Sequence, residues 1–350
     1  MLFRLPLWPF SLVYSAAARL RALSYRLGIR HQQQLNGTVI SVGNLTVGGT
    51  GKTPMVIFIV HRLAAEGNHV AVLTRGYRAK PAGAQATASG ESQPVSSISD
   101  EVAVMQAHLG PEIPIGVGAD RFSEGRRLEQ AGIDHFVLDD GFQHLQLARD
   151  LDVLLIDALN PFSGGFLLPA GRLREPLSAM RRADLIVITR SERAPAVESI
   201  IRRHTKAPIF YAQTELKGAF RLDPQALVPD VSDHFPKRPF AFCAIGNSAA
   251  FFTDLRRWGI DFVGQLDFPD HHSYSRLDIL RLEQLAKDAG AESLVCTLKD
   301  FANFGSNRFP TMPVYVIRID LCVTCEDAFW ESLQSIIARK RAGSGSGAAQ

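Results

Sequence analysis

Thr38-Val39-Ile40-Ser41-Val42-Gly43-Asn44-Leu45-Thr46-Val47-Gly48-Gly49-Thr50-Gly51-Lys52-Thr53-Pro54 is the stretch on which the fold turns. An apolar, β-branched run leads into a glycine-rich turn, and helix-forming sequence follows from Thr53 to Glu66. Strand, turn and helix in that order are the setting a phosphate-binding loop requires. Gly48, Gly49, Thr50 and Gly51 let the backbone curl so that successive N–H groups point at phosphate oxygens, and the helix N-terminus adds positive potential. Lys52 is placed to reach the β- and γ-phosphates, and the Thr53 hydroxyl to ligate Mg²⁺. Pro54 falls in the first helical turn, where a missing N–H costs nothing. In one respect the loop departs from G-x-x-x-x-G-K-[ST]: Thr46 stands where the first glycine is usual.

Outward from the loop, short apolar runs alternate with helical stretches. Strands are expected at Thr38–Val42, His69–Thr74, Ile113–Val117, His135–Leu138, Leu151–Ile156 and Leu185–Thr189, with helices at Thr53–Glu66, Asp100–Leu109 and Asp120–Ala131. Continuous apolar strands separated by helices predict an α/β fold, a doubly wound and mostly parallel sheet of the P-loop NTPase kind. A second series follows: Phe240–Ile245, Ala249–Trp258, Arg276–Ala289, Ser293–Thr297, Val314–Ile319 and a last helix from about Glu326 to Lys340. Residues 216–239 between the series are rich in Pro, Asp and Lys and lack periodicity. The expected organisation is an N-terminal helix (1–35), a P-loop domain (36–210), a smaller second α/β domain (211–342) and a disordered tail (343–350). Lys80–Pro94, rich in Ala, Gly, Gln and Ser, reads as a mobile surface loop.

A P-loop needs an acid at the end of a neighbouring strand to hold Mg²⁺. His135-Phe136-Val137-Leu138-Asp139-Asp140-Gly141-Phe142-Gln143-His144 supplies one. Two adjacent carboxylates after an apolar strand are costly unless a cation or donors neutralise them, so Asp139 or Asp140 is the expected metal partner. Asp157, closing Leu151–Asp157, is the weaker competitor and reads by default as a solvated strand end.

Composition bounds the function classes. The 350 residues are 46% hydrophobic and 21% charged, as in a folded globular protein, and a net charge of +3 is too small to make nucleic acid the main partner. Four cysteines cannot frame a disulfide scaffold, and Cys322-x-x-Cys325 has no second pair to complete a zinc site. The first 30 residues carry Arg4, Arg19, Arg21, Arg26 and Arg30 and no acid. Leu5–Ala18 is uncharged but shorter than the roughly 20 residues a spanning helix needs. Aromatic and apolar residues from Phe10 onward, with arginines on another side, fit a helix lying in a membrane interface with anionic lipid. Alternatives are a helix packed on its own domain, or a signal peptide cleaved near Ala16-Ala17-Ala18.

Five segments then occur in order: V-G-N-L-T-V-G-G-T-G-K-T-P, T-R-G-Y at Thr74–Tyr77, D-E at Asp100–Glu101, L-D-D-G-F-Q-H at Leu138–His144 and L-L-P-A-G-R-L-R-E-P at Leu167–Pro176. Asp270-His271 and Lys299-Asp300 follow. The ordered set resembles the tetraacyldisaccharide 4′-kinase family over roughly residues 1–300. The resemblance implies ATP- and Mg²⁺-dependent phosphorylation of the 4′-hydroxyl of a tetraacyldisaccharide 1-phosphate in lipid A biosynthesis. It also implies a monotopic protein on the cytoplasmic face of the inner membrane. Nucleic acid and an obligate protein partner are not expected.

Through that resemblance Asp100 matches the base toward the sugar hydroxyl, and His271 its helper. A hydroxyl nucleophile needs such an acceptor, although Asp100 also suits a helix N-cap and His272 is adjacent. The resemblance adds Gln143 and Glu175 to Thr53, Asp139 and Asp140 around the metal, and His144 beside the phosphates. Arg75, Arg78, Arg172 and Arg174 form a candidate rim for the substrate's 1-phosphate, because a guanidinium donates two hydrogen bonds at once. Salt-bridging surface arginines, and a Glu175 paired with Arg172 or Arg174, are the plainer readings. Thr297-Leu298-Lys299-Asp300 replaces the family's T-E-K-D acid by leucine. The rival reading is a P-loop GTPase serving as a metallochaperone or targeting factor. In Thr297–Asp300 the lysine and aspartate are adjacent, which breaks the guanine-reading T-K-x-D spacing.

Overall fold

A computed structural model describes residues 8–76, 100–223, 226–229, 237–270, 272–304 and 310–345. It divides into two compact units, Met1–Gly76 with His108–Thr214 and Leu321–Gln350, and Tyr77–Ala107 with Glu215–Asp320.

The first unit is built on β1 (Thr38–Asn44), β2 (Val70–Thr74), β3 (Ile115–Val117), β4 (His135–Asp139), β5 (Leu151–Asp157), β6 (Leu185–Thr189) and the start of β7 (Ile209–Asp223). Their order is β7-β6-β5-β1-β4-β2-β3, and every pairing is parallel. β1, β2, β5 and β6 are buried at every residue, the mark of strands covered on both faces. Helix α2 (Lys52–Ala65) packs its Met55, Val56, Ile59, Val60 and Leu63 stripe against β1, β2 and β4. α4 (Arg121–Gln130) starts at an Asp120 side chain that accepts from the Ser123 N–H, and α5 (Pro195–Arg202) follows β6. The doubly wound α/β expectation therefore holds, and each apolar run in this half is a strand.

In the second unit β9 (Pro239–Cys243), β10 (Gly264–Asp267), β11 (Ser293–Thr297) and β12 (Val314–Val323) are parallel in the order β10-β9-β11-β12. Around them lie α6 (Ser248–Arg257), α7 (Arg276–Asp288) and α8 (Leu298–Ala302), and most of α3 (Asp100–Leu109) belongs here. Phe242, Tyr274, Leu282, Leu294, Phe304 and Val316 form its core.

Three features differ from the sequence reading. Residues 209–223, which span the expected domain break at 210/211 and enter the stretch 216–239 read as lacking periodicity, form the long strand β7, which pairs antiparallel with β8 (Ala226–Pro229). Its polar-interleaved sequence and Gly218 hid it. Helix α9 (Glu326–Gly345), assigned to the second domain, falls in the first unit. There Phe329 is fully buried against Phe58 and Phe210, Trp330 donates to Glu66, and Arg341 pairs with Asp150 at 3.2 Å. The helix also runs to Gly345, into the expected tail, while residues 346–350 and the Lys80–Pro94 loop lie outside the described residues.

Helix α1 (Trp8–Arg26) turns two serines inward. Ser11 and Ser15 are its buried positions, and the Ser11 hydroxyl donates to Leu167 O at 3.1 Å and accepts from Ala170 N at 3.0 Å. Phe10, Val13 and Leu20 are 63%, 70% and 66% exposed. No described helix is long and apolar enough to cross a membrane.

Candidate active site

The glycine loop adopts the backbone its composition allows. Gly48 and Gly51 have φ of 128° and 84°, a region only glycine enters without strain. Gly51 caps α2 with no side chain on the first-turn N–H groups, leaving them to an anion. Thr46, in place of the usual glycine, is buried and bridges antiparallel to Leu173. Flanking bonds run from Val47 N to Arg172 O (2.8 Å) and from Arg174 N to Leu45 O (2.7 Å). The L-L-P-A-G-R-L-R-E-P segment is thereby a wall of the phosphate loop. The Arg172 guanidinium lies so close to Gly48 that a Cβ there would sit 2.8 Å from its Nη2.

Opposite the loop, β4 delivers the acid pair. Val42 of β1 is in register with Asp139, and Gly43 accepts the turn after β4: a Cβ on it would lie 2.6 Å from Phe142 Cβ. Asp139 is buried, takes the Thr74 hydroxyl at 3.3 Å, and its carbonyl takes Arg121 Nη2 at 3.0 Å. Asp140, at a positive φ of 48°, faces Lys52 Nζ at 3.7 Å and accepts from Arg174 Nη1 at 2.6 Å. Burial works to raise the Asp140 carboxyl, but Lys52, Arg174 and Arg121 outweigh it and hold it below the usual range. Lys52 also donates to Gly48 O and Asn44 Oδ1 at 3.3 and 3.5 Å. Gln143 donates to Asn44 O (2.9 Å) and takes Arg174 at 3.3 Å.

The remaining candidates divide. Glu175 pairs with neither Arg172 nor Arg174: both its oxygens take Arg182, at 2.7 and 2.9 Å, and Arg182 also stacks on Phe142 at 4.5 Å. Asp157 is not solvated. It is buried, bound to Arg190 at 3.0 Å, and accepts the Leu159 N–H. His144 is pushed down to about 4, by burial first and then by Arg121, Arg149 and Arg21, so it is neutral at pH 7. Arg75 is exposed at the end of β2. Asp100 opens α3 in the second unit; Arg78 and His271 lie outside the described residues.

His272 is engaged with its neighbours: Nε2 meets Asp278 Oδ2 at 3.1 Å, and the ring stacks on Phe268 at 4.9 Å. Thr297-Leu298-Lys299-Asp300 is a capping box. Asp300 Oδ2 takes the Thr297 N–H and hydroxyl, while Oδ1 takes Ala244 N and Tyr274 Oη. A carboxylate so consumed has nothing left to read a guanine, and Leu298 packs on the core where the family's acid would stand.

Sequence reasoning missed Arg121 and Arg182. Arg121 is buried at the first position of α4, and Asp139 and Asp140 offset the cost of burying its charge. Its only signal was Gly118-Ala119-Asp120-Arg121, a helix start whose basic residue an amphipathic reading places in solvent.

Comparison with known proteins agrees. The family model for tetraacyldisaccharide-1-P 4′-kinase matches residues 3–338. The tetraacyldisaccharide 4′-kinase of Geobacter metallireducens is 41% identical over 301 residues, covering 84% of this chain and 87% of that one. Its counterpart from Geobacter sulfurreducens is 41% identical over 315 residues, 88% and 86% of the two chains. The crystal structure of LpxK from Aquifex aeolicus in complex with ATP superposes with a TM-score of 0.74 at 30% identity, over 96% of this chain and 100% of that one. Loop, acid pair and arginine wall thus occur in a chain matched almost end to end, and it belongs to the tetraacyldisaccharide-1-P 4′-kinase family.

Proposed function

We propose that this chain transfers the γ-phosphoryl group of ATP to the 4′-hydroxyl of a tetraacyldisaccharide 1-phosphate at an inner-membrane surface. The observation that carries the reading is the phosphate loop facing an acid pair, with Lys52 against Asp140 and Arg174 closing the same carboxylate. Phosphoryl transfer asks the protein mainly for positioning and charge neutralisation. The free N–H groups opening α2 and the Lys52 ammonium take the β- and γ-phosphates, while Arg172 on Gly48 guards the loop's outer side.

Mg²⁺ fits the donor set in part. Thr53, Asp139, Asp140 and Gln143 offer hard oxygens, and Asp140 Oδ1 is buried without a hydrogen-bond donor. No cluster of three or more His, Cys, Asp or Glu side chains suited to a metal occurs among the described residues, which Mg²⁺ bound chiefly to phosphates does not need. Glu175 joins only by leaving Arg182. The ion's contribution is neutralisation of charge on the transferring phosphate. Asp100 accepts the proton of the sugar hydroxyl as its oxygen attacks phosphorus, His271 assists, and Arg75, Arg78 and Arg174 meet substrate phosphate. The outward apolar face of α1 brings the enzyme to its acylated substrate on the cytoplasmic side.

Radiolabelled ATP with tetraacyldisaccharide 1-phosphate tests the reading. Label should pass to the lipid only when both are present, and poorly from GTP. Rapid GTP hydrolysis without lipid would favour the GTPase reading instead. Asp100→Ala should lower kcat by about 10²–10⁴-fold; full activity would remove Asp100 from the base role.

A further inference from the structure

Strand β6 reads Leu-Ile-Val-Ile-Thr and is buried at every residue, so that Thr189 is the single polar side chain it carries. A valine would suit a strand covered on both faces equally well and would bring no hydroxyl out of water. Thr189 Oγ1 donates instead to Thr50 O at 3.1 Å, across 139 residues of chain, and ties the phosphate loop to the end of β6. Its methyl group lies against the next loop residue: a Cβ on Gly51 would sit 3.6 Å from Thr189 Cγ2.

The threonine is itself held. It pairs with Asp157 of β5, and its carbonyl accepts the Ala158 N–H at 3.0 Å. Arg190, next in the chain, has a positive φ of 66°; its N–H goes to Ala212 O at 2.8 Å and its guanidinium to Asp157 at 3.0 Å. A left-handed residue pinned at both backbone and side chain fixes where β6 ends, and with it the direction of the Thr189 hydroxyl.

Peptide geometry carries the effect into the loop. The Thr50–Gly51 unit is planar and trans, so its C=O and N–H point in opposite directions. With Thr50 O turned toward Thr189, the Gly51 N–H is turned away from β6. Gly51, at a φ of 84°, caps the start of α2, where backbone N–H groups face a bound anion. A peptide unit flanked by glycine flips at little cost, because glycine takes either sign of φ. A hydrogen bond to its carbonyl selects one orientation.

We infer that Thr189 is a positioning residue for the nucleotide phosphates: its hydroxyl holds the Thr50–Gly51 peptide so that the Gly51 N–H faces the anion. The inference rests on the reading of the loop as the ATP phosphate site and adds to it a residue from outside the loop motif.

The test compares Thr189→Val, which exchanges the hydroxyl for a methyl group, with Thr189→Ser, which keeps the hydroxyl and drops the methyl. Calorimetric titration of the full chain gives Kd for ATP and for inorganic tripolyphosphate, and the labelled-ATP assay gives kcat and KM. Thr189→Val should raise Kd for ATP and for tripolyphosphate alike by about fivefold to tenfold, the effect of one hydrogen bond. KM for ATP should rise with them, while KM for the lipid stays within about twofold of the parent. Thr189→Ser should restore both Kd values to within about twofold. An unchanged Kd in folded Thr189→Val would overturn the role of Thr189. An equal loss in Thr189→Ser would overturn it as well, by tracing the effect to the methyl contact. So would weakened ATP binding with tripolyphosphate untouched, which would move the effect to the base. A parent protein that binds neither ligand would overturn the reading of the loop itself. Urea midpoints establish that each variant is folded at the assay temperature. Should Thr189→Val not fold, Thr189→Ala against Thr189→Ser isolates the same hydroxyl.

Discussion

Charge at the phosphate loop converges on Asp140, which meets Lys52 at 3.7 Å and Arg174 at 2.6 Å, with Arg121 close enough to lower its pKa. Removing Lys52 takes away both a phosphate contact and this balance, so Lys52→Ala should lower kcat by about 10²–10³-fold in the labelled-ATP assay. His144 gives a prediction in pH. Its folded value of about 4 lies below the 6.5 of the unfolded chain, so the unfolded state binds the proton first. Stability from this group is therefore complete above pH 6.5 and is lost as pH falls from 6.5 toward 4. The ceiling is about 3 kcal/mol, reduced by solvent screening because the ring is partly exposed. Urea midpoints between pH 7 and 4.5 should fall less steeply in His144→Gln than in the parent. At this scale the sequence exposed residues whose chemistry depends on order along the chain, such as Lys52 and the Asp139-Asp140 pair. It hid Arg121 and Arg182, whose roles depend on packing beside Asp139 and Phe142, which lie 18 and 40 residues away along the chain.

At the scale of elements, the site depends on how closely the turn after β4 approaches β1. Gly43 permits that approach, and a methyl group there would lie 2.6 and 2.7 Å from Phe142 Cβ and N. The obstacle is backbone and cannot swing aside, so Gly43→Ala should destabilise by about 1–3 kcal/mol in chemical denaturation and lower kcat by displacing Asp139 and Asp140. A normal midpoint with normal activity would show that the two segments separate without cost. β1, β4, β5 and β6 were legible because burial on both faces leaves an unbroken apolar run. β7 was not, since residues such as Gln213, Glu215 and Lys217 interrupt its sequence, and α9 was readable as a helix while its partners were not. Phe329 meets Phe58 and Phe210, contacts that no local pattern specifies.

For the molecule as a whole, the proposed action at a membrane surface makes the orientation of α1 the feature to test. Its sequence left membrane surface and packed helix both open, because composition does not say which stripe faces the protein. The structure turns Ser11 and Ser15 inward, with Ser11 bonded to Leu167 and Ala170 in the segment that also walls the phosphate loop. Trp8, Phe10, Leu12, Val13, Leu20 and Leu23 are left outward, with Arg19 and Arg26 on the same helix. Burying one such side chain in lipid contributes about 1.5–3 kcal/mol, and each arginine near an anionic surface about 1 kcal/mol. Leu12→Asp/Val13→Asp should therefore reduce sedimentation with vesicles containing phosphatidylglycerol by at least tenfold in partition coefficient. Raising salt should weaken binding of the parent without abolishing it, since the apolar share is unscreened. Ser11→Ala, altering only the inward face, should bind vesicles normally and lose stability, because the Ala170 N–H loses its acceptor. Equal vesicle binding by the aspartate variant and its parent would mean that the outward face of α1 meets something other than lipid.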